Sequence, residues 1–222
     1  MYRLIIVVVL LSGCATQNNK LISQYDRNLI KQSLVVSTLG DDLYCSYVGL
    51  TIFNNKSTTY DLDNSLNQTF SSVITSQLSA MGFQSKAISR DSLSFADVKK
   101  GAKNWANIRF NDLPESYGNI SNIIIFDGDY HYSSTGGYYA RNNALKTSAT
   151  LYIYDYPSGR LIGKYSSQHS KLKNSFSCTE QSMPEDNHML TLLRSSGEEL
   201  QQELVEKLFS VSTSPSNNSS ER

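Results

Sequence analysis

Residues 144–168, ALKTSATLYIYDYPSGRLIGKYSSQ, decide the fold. From Ala144 to Tyr156 the residues alternate: Leu145, Thr147, Ala149, Leu151 and Ile153 face one way, and Lys146, Ser148, Thr150, Tyr152 and Tyr154 the other. A period of two is the signature of a strand with one face on a core. Pro157-Ser158-Gly159-Arg160 reads as a turn, because proline presets φ and glycine supplies a positive φ. Leu161–Gln168 then returns as the antiparallel partner of a hairpin.

Working outward, Asn122–Ser133 (NIIIFDGDYHYS) begins as a buried aliphatic run and ends polar and aromatic, which predicts a third strand. A glycine-containing loop, residues 133–143, joins it to the hairpin. After Pro184 a helix is expected to about Phe209, with Met189, Leu192, Leu193, Leu200, Leu204, Val205 and Leu208 on its apolar stripe. Upstream, Leu62, Leu66, Phe70, Val73, Ile74, Leu78 and Met81 recur at steps of three and four, predicting a helix over 63–81. Asp61 or Asp63 is placed to cap it, and Gly82 sits where a helix C-terminal glycine belongs. Tyr44–Phe53 and Phe83–Ser89 read as strands, the first broken by Asn54–Ser57. Residues 91–118 are looser, with a candidate short helix at Ser94–Ala102 and the only tryptophan, Trp105. The order β-α-β-(α)-β-β-β-α predicts an α+β fold, a mixed or mainly antiparallel sheet with helices packed on one face.

The amino terminus has a different logic. Arg3 precedes an aliphatic stretch, Leu4–Leu11, too short to cross a ~30 Å hydrocarbon core. Basic start, short apolar middle and small residues at the end are the features of an export signal, residues 1–13. The ending Leu11-Ser12-Gly13-Cys14 resembles the lipobox of bacterial lipoproteins. That resemblance implies cleavage before Cys14, acylation of Cys14 and stable membrane anchoring. Ala15, in place of the Asp that favours inner-membrane retention, points to the outer membrane as destination. Residues 14–40 are then expected to be a lipidated N-terminus and tether, in which Leu29-Ile30 and Leu34-Val35-Val36 offer a short helix or strand before Gly40, 41–212 a single periplasmic domain, and 213–222 a disordered polar tail. At ~3.3 Å per residue such a tether reaches at most ~90 Å.

Charge and composition exclude several classes. Lys plus Arg number 20 and Asp plus Glu number 20, with no long basic run, so the footprint of a nucleic-acid binder is missing. No P-loop, G-x-S-x-G or S-x-x-K motif occurs, and His131, His169 and His188 are not spaced as metal ligands. No catalytic residue, metal or cofactor is therefore expected. Asp127 and Asp129 flank Gly128. One reading makes them a cation site or paired carboxylates; the preferred reading is a strand end with a β-bulge at Gly128 and solvated carboxylates. With Cys14 given to lipid, Cys45 and Cys178 form an even pair in an oxidising compartment and are expected to make a disulfide, worth roughly 4–5 kcal/mol in the chain-entropy model.

Tyrosine is the unusual resource, with 14 residues. Tyr130, Tyr132, Tyr138, Tyr139, Tyr152 and Tyr154 are expected to form one interface for a protein partner, on the sheet face that the helices leave free. The alternative is scaffold: cross-strand packing, or burial beneath 91–118 and Trp105.

The pattern over residues 44–170 is similar to a periplasmic domain shared by FlgO-type flagellar outer-membrane lipoproteins, the N-terminal domain of TolB, CsgG, and the lipoprotein activators of penicillin-binding proteins. The helix-to-strand stretch LNQTFSSVITSQLSAMGFQ and the hairpin LYIYDYPSGRLIGKYS carry the likeness. It implies a TolB N-terminal-like fold and a non-enzymatic interaction or assembly module of an envelope complex, with flagellum association as a candidate role. Regulation of a cell-wall synthase and glycan binding are the rival functions.

Overall fold

The computed structural model describes residues 19–49, 55–62, 64–90, 117–136, 141–156, 158–172 and 187–209. Its elements are α1 (Gln24–Leu29), β1 (Gln32–Ser37), β2 (Asp42–Val48), β3 (Lys56–Asp61), α2 (Ser65–Ala80), β4 (Gln84–Ala87), β5 (Asn122–Gly136), β6 (Arg141–Asp155), β7 (Leu161–Leu172) and α3 (Asn187–Phe209). All seven strands belong to one mixed sheet. β5 is its spine. One edge of β5 pairs with β6 antiparallel along the whole strand, and β6 pairs with β7 in the expected hairpin. The other edge is shared: β1 runs parallel to its first part and β2 parallel to its second. β4 then lies parallel to β1, and β3 antiparallel to β2.

β1 and β2 are one strand line with an interruption. Ser37 lies opposite Phe126 and Leu43 opposite Tyr130, so six steps of chain span four steps of β5. The two surplus residues loop out at Thr38–Asp41. This loop is tied down: the Thr38 amide donates to the Phe126 carbonyl, the Thr38 hydroxyl to Asp127 at 2.6 Å, and the Gly40 amide to the Asn67 side chain at 2.9 Å.

The α+β class and the mixed sheet agree with the sequence, and α2 and α3 lie together on one face. Leu66, Phe70, Ile74 and Leu78 of α2 are buried with Leu193, Leu200, Leu204 and Leu208 of α3 over Val35, Ile124, Phe126, Leu145, Leu151 and Ile153. Phe70 meets Phe126 edge-on with ring centroids 5.8 Å apart. Gly82 closes α2 at φ +86°. The second face holds a smaller cluster: Leu34, Val36, Ile88, Ile123, Ile125 and Tyr154, flanked by Tyr117, Ile120, Tyr152, Tyr156 and Leu161.

Several boundaries move. The expected tether, 14–40, contains α1 and the internal strand β1, and Leu34, Val35 and Val36 are wholly buried. A parallel strand covered on both faces carries no alternation to tell it from a short helix. The break expected at Asn54–Ser57 runs into β3, an edge strand whose polar residues, Lys56, Ser57 and Thr59, face water. Asn64, not Asp61 or Asp63, occupies the N-cap of α2, and its side chain makes no capping bond. Met81 is 40% exposed and off the stripe. No bulge forms at Gly128: its register with Ala149 is continuous, and the irregularity lies at Ile153/Tyr154 instead. Asp127 is 6% exposed rather than solvated. Glycine is required at 128 because a Cβ there would come within 2.8 Å of Leu39 and closer still to the Ser148 carbonyl. The signal, the candidate helix 94–102, Trp105, Pro157 and the tail 213–222 lie outside the described residues.

Candidate functional site

Of the six tyrosines, the four among the described residues do not form one surface. Cross-strand register places Tyr130 opposite Thr147 and Tyr132 opposite Leu145, on the helix-covered face. Both are fully buried, and the Tyr130 hydroxyl donates to the Leu193 carbonyl of α3 at 2.8 Å. Burial pushes its phenol far above the usual range, with Glu198 adding to the shift. Tyr152 and Tyr154 stand opposite Ile125 and Ile123, on the other face, where they stack with centroids 6.1 Å apart. Tyr154 is also fully buried, and desolvation raises its phenol likewise. Tyr152 is half-buried beneath the Lys164 ammonium, 5.4 Å from its ring. Four of the six are thus scaffold divided between two clusters, and Tyr138 and Tyr139 lie outside the described residues. Cys14 and Cys178 lie outside them too. Cys45 is fully buried in β2, paired with Tyr132 in β5 and Thr58 in β3.

Among the described residues, what stays uncovered is the far half of the second face, beyond the smaller apolar cluster. Alternation along β2 sends Leu43, Cys45 and Tyr47 toward the helices and leaves Tyr44, Ser46 and Val48 on this side. Tyr44 is 42% exposed and Val48 50%. The Tyr44 ring sits 5.0 Å from the His131 imidazole, whose Nε2 is hydrogen-bonded to the Ser46 hydroxyl at 2.9 Å. Lys146, opposite His131 on β6, and Ser57 and Thr59 on β3 complete an exposed polar rim. Neither Ser46 nor its pairing with His131 was legible in the chain, since the two are 85 residues apart and joined only by the β2–β5 register.

A serine at hydrogen-bond distance from an imidazole is the first half of a nucleophile–base pair. The second half is a group that orients the ring, and among the described residues no carboxylate is bonded to His131. His169 has such partners, Glu203 at 2.8 Å and Glu199 at 3.9 Å, but no nucleophile. The described residues contain no group of three or more His, Cys, Asp or Glu able to hold a metal ion.

A second region concerns the start of the described chain. Lys20 forms an antiparallel bridge to Lys164 on the outer edge of β7, each amide donating to the other's carbonyl at 2.7 Å. The Asn19 side chain accepts from the Ser166 amide at 2.9 Å. Ile22 fills the space that Gly163 leaves: a Cβ on Gly163 would lie 2.8 Å from it. Ser23 caps α1, Asp26 pairs with Arg160 at 3.2 Å, and Arg27 donates to the carbonyl of Phe209 at the end of α3. Ile30 enters the main core.

No family model and no curated protein matches the chain. Among solved structures, 17 chains match. Protein XCC0632 from Xanthomonas campestris, described by family model DUF330, is 7% identical over 80% of each chain, with a TM-score of 0.37. Lipoprotein GNA1162 from Neisseria meningitidis is 12% identical over 76% of this chain and 96% of its own, with a TM-score of 0.34. A structure titled as an uncharacterized protein is 12% identical over 79% and 91%, with a TM-score of 0.33. Likenesses at this level define no family for the chain. No helix among the described residues is long and apolar enough to cross a membrane.

Proposed function

We propose that this chain is a non-enzymatic lipoprotein, anchored through acylated Cys14 in the outer membrane and facing the periplasm, that serves as an interaction or assembly module of an envelope complex. The observation that carries the reading is the Leu-Ser-Gly-Cys ending of the short apolar leader at residues 11–14. A folded domain whose first described residue, Asn19, is already bonded into the sheet supports it. Only six residue steps separate Cys14 from the Lys20 bridge, about 20 Å of extended chain instead of the ~90 Å of a free tether. A domain held that close favours partners at the outer membrane over a cell-wall synthase across the periplasm. The partner surface we assign is the open half-face with Tyr44, Ser46, Val48 and His131. The buried tyrosines take no part.

Density-gradient separation of the envelope, followed by recovery of cross-linked partners, tests the assignment. The wild-type chain is expected with outer-membrane markers, and Tyr44→Ser with His131→Ser is expected to lose the partner while keeping its melting temperature. Recovery with inner-membrane markers would overturn the location.

One observation favours a second reading, glycan binding. Tyr44 presents an exposed ring within a rim of hydroxyls and one lysine, the combination of apolar plate and polar edge that suits a sugar. Co-sedimentation with peptidoglycan sacculi decides between them.

A further inference from the structure

Leu21 and Tyr25 are 56% and 72% exposed, the two most exposed large apolar side chains among the described residues. They sit four residues apart on the one stretch of chain between the Lys20 bridge and the core. Their neighbours are inward or occupied: Ile22 fills the Gly163 notch, Ser23 caps α1, and Asp26 is paired with Arg160. The folding of residues 19–30 therefore leaves Leu21 and Tyr25 as its exposed apolar side chains. Beside them are Lys20, whose ammonium donates to the Leu161 carbonyl, and Arg160, paired with Asp26.

We propose that Leu21 and Tyr25 form the face on which this domain rests against the lipid headgroups. The inference depends on the lipidation of Cys14 proposed above. Six residue steps from an acylated cysteine confine Lys20 to within about 20 Å of the acyl chains, and the double backbone bridge to Lys164 transmits that limit to the whole domain. The side of the molecule bearing β7, α1 and the end of α3 is then held nearest the membrane, and it presents an aliphatic and a tyrosine side chain beside Lys20. A tyrosine ring with its hydroxyl suits the headgroup layer. The lipid anchor and this patch act as two signals, the anchor giving affinity and the patch giving orientation. The open half-face with Tyr44, on a strand separated from β7 by β5 and β6, is thereby turned away from the bilayer.

The test uses the full-length lipidated protein in vesicles of phosphatidylethanolamine and phosphatidylglycerol carrying brominated acyl chains. Tyr25→Trp and Leu190→Trp are compared, each over the wild-type tryptophan background. Leu190 is exposed near the start of α3, about 28 Å along the helix from Phe209. Both substitutions fall on exposed positions and leave the core untouched. Several-fold greater quenching at residue 25 than at 190 is expected, together with its loss when Leu21→Ser and Lys20→Ser are added. Equal quenching at the two positions in a protein that carries its acyl mass and floats with the vesicles overturns this inference and leaves the lipoprotein reading standing. A chain without acyl mass overturns both.

Discussion

The Tyr130 hydroxyl donates to the Leu193 carbonyl at 2.8 Å, one helical turn before Gly197, and this contact sets the height of α3 above the sheet. A Cβ on Gly197 would lie 2.6 Å from that hydroxyl and closer to the Phe70 ring, so α2, α3 and β5 all meet at a residue without a side chain. At an ordinary helix position, replacing glycine by alanine stabilises by about 1 kcal/mol. Here the sign reverses. Gly197→Ala is expected to destabilise by about 1–3 kcal/mol through overpacking, read as a lower midpoint in denaturant. An unchanged or higher midpoint would mean that the helices do not approach this closely.

The two stacked tyrosines should separate on truncation. Tyr154→Ser removes a wholly buried ring and is expected to cost about 3–5 kcal/mol, whereas Tyr152→Ser, half-buried beneath Lys164, costs less. Thermal melts of the two single variants give the comparison. Equal, small losses would return both side chains to the surface.

Asp26 carries a pH signature. The Ser23 hydroxyl holds its carboxyl below the usual 3.8; burial opposes this, and Arg160 and Lys20 add to the lowering. A depressed carboxylate pKa adds stability that is full above the ordinary value and is lost as pH falls through the depressed one. Asp26→Asn should therefore lower stability by roughly 0.5 kcal/mol at neutral pH, and the gap from wild type should close as the pH falls through the depressed pKa. A gap that persists in acid would assign the loss to packing of α1 and not to charge.

Cys45 and Cys178 are expected to be disulfide-linked. Their single serine variants should each lower the unfolding free energy by a few kcal/mol, and the double variant should add little more, because one bond is lost once. Additive losses, or two reactive thiols in the unreduced denatured protein, would refute the pairing.

Two kinds of information were missing from the chain. α2, α3 and the β6–β7 hairpin were legible because each keeps one face on the core, so period 3.6 or period 2 survives in the sequence. β1 was legible only as a short helix or strand, because Leu34 and Val36 serve one cluster and Val35 the other and no period survives. β3 was hidden for the opposite reason, since only Tyr60 is buried along it. The tyrosine surface failed on register. Parity within β5 groups Tyr130 and Tyr132 with Ile124 and Phe126, but only the pairing of Ile123 with Tyr154 shows that Tyr152 and Tyr154 belong to the other face. The looped-out Thr38–Asp41 and the Ser46–His131 contact depend on strand pairings between distant segments and leave no local trace.

Intact mass of the protein extracted from membranes tests the central claim most directly. The account predicts a chain beginning at Cys14 and carrying acyl groups, with the Cys14→Ser variant unprocessed and lacking the acyl mass. A wild-type chain that begins elsewhere, or that begins at Cys14 with no added acyl mass, would contradict it.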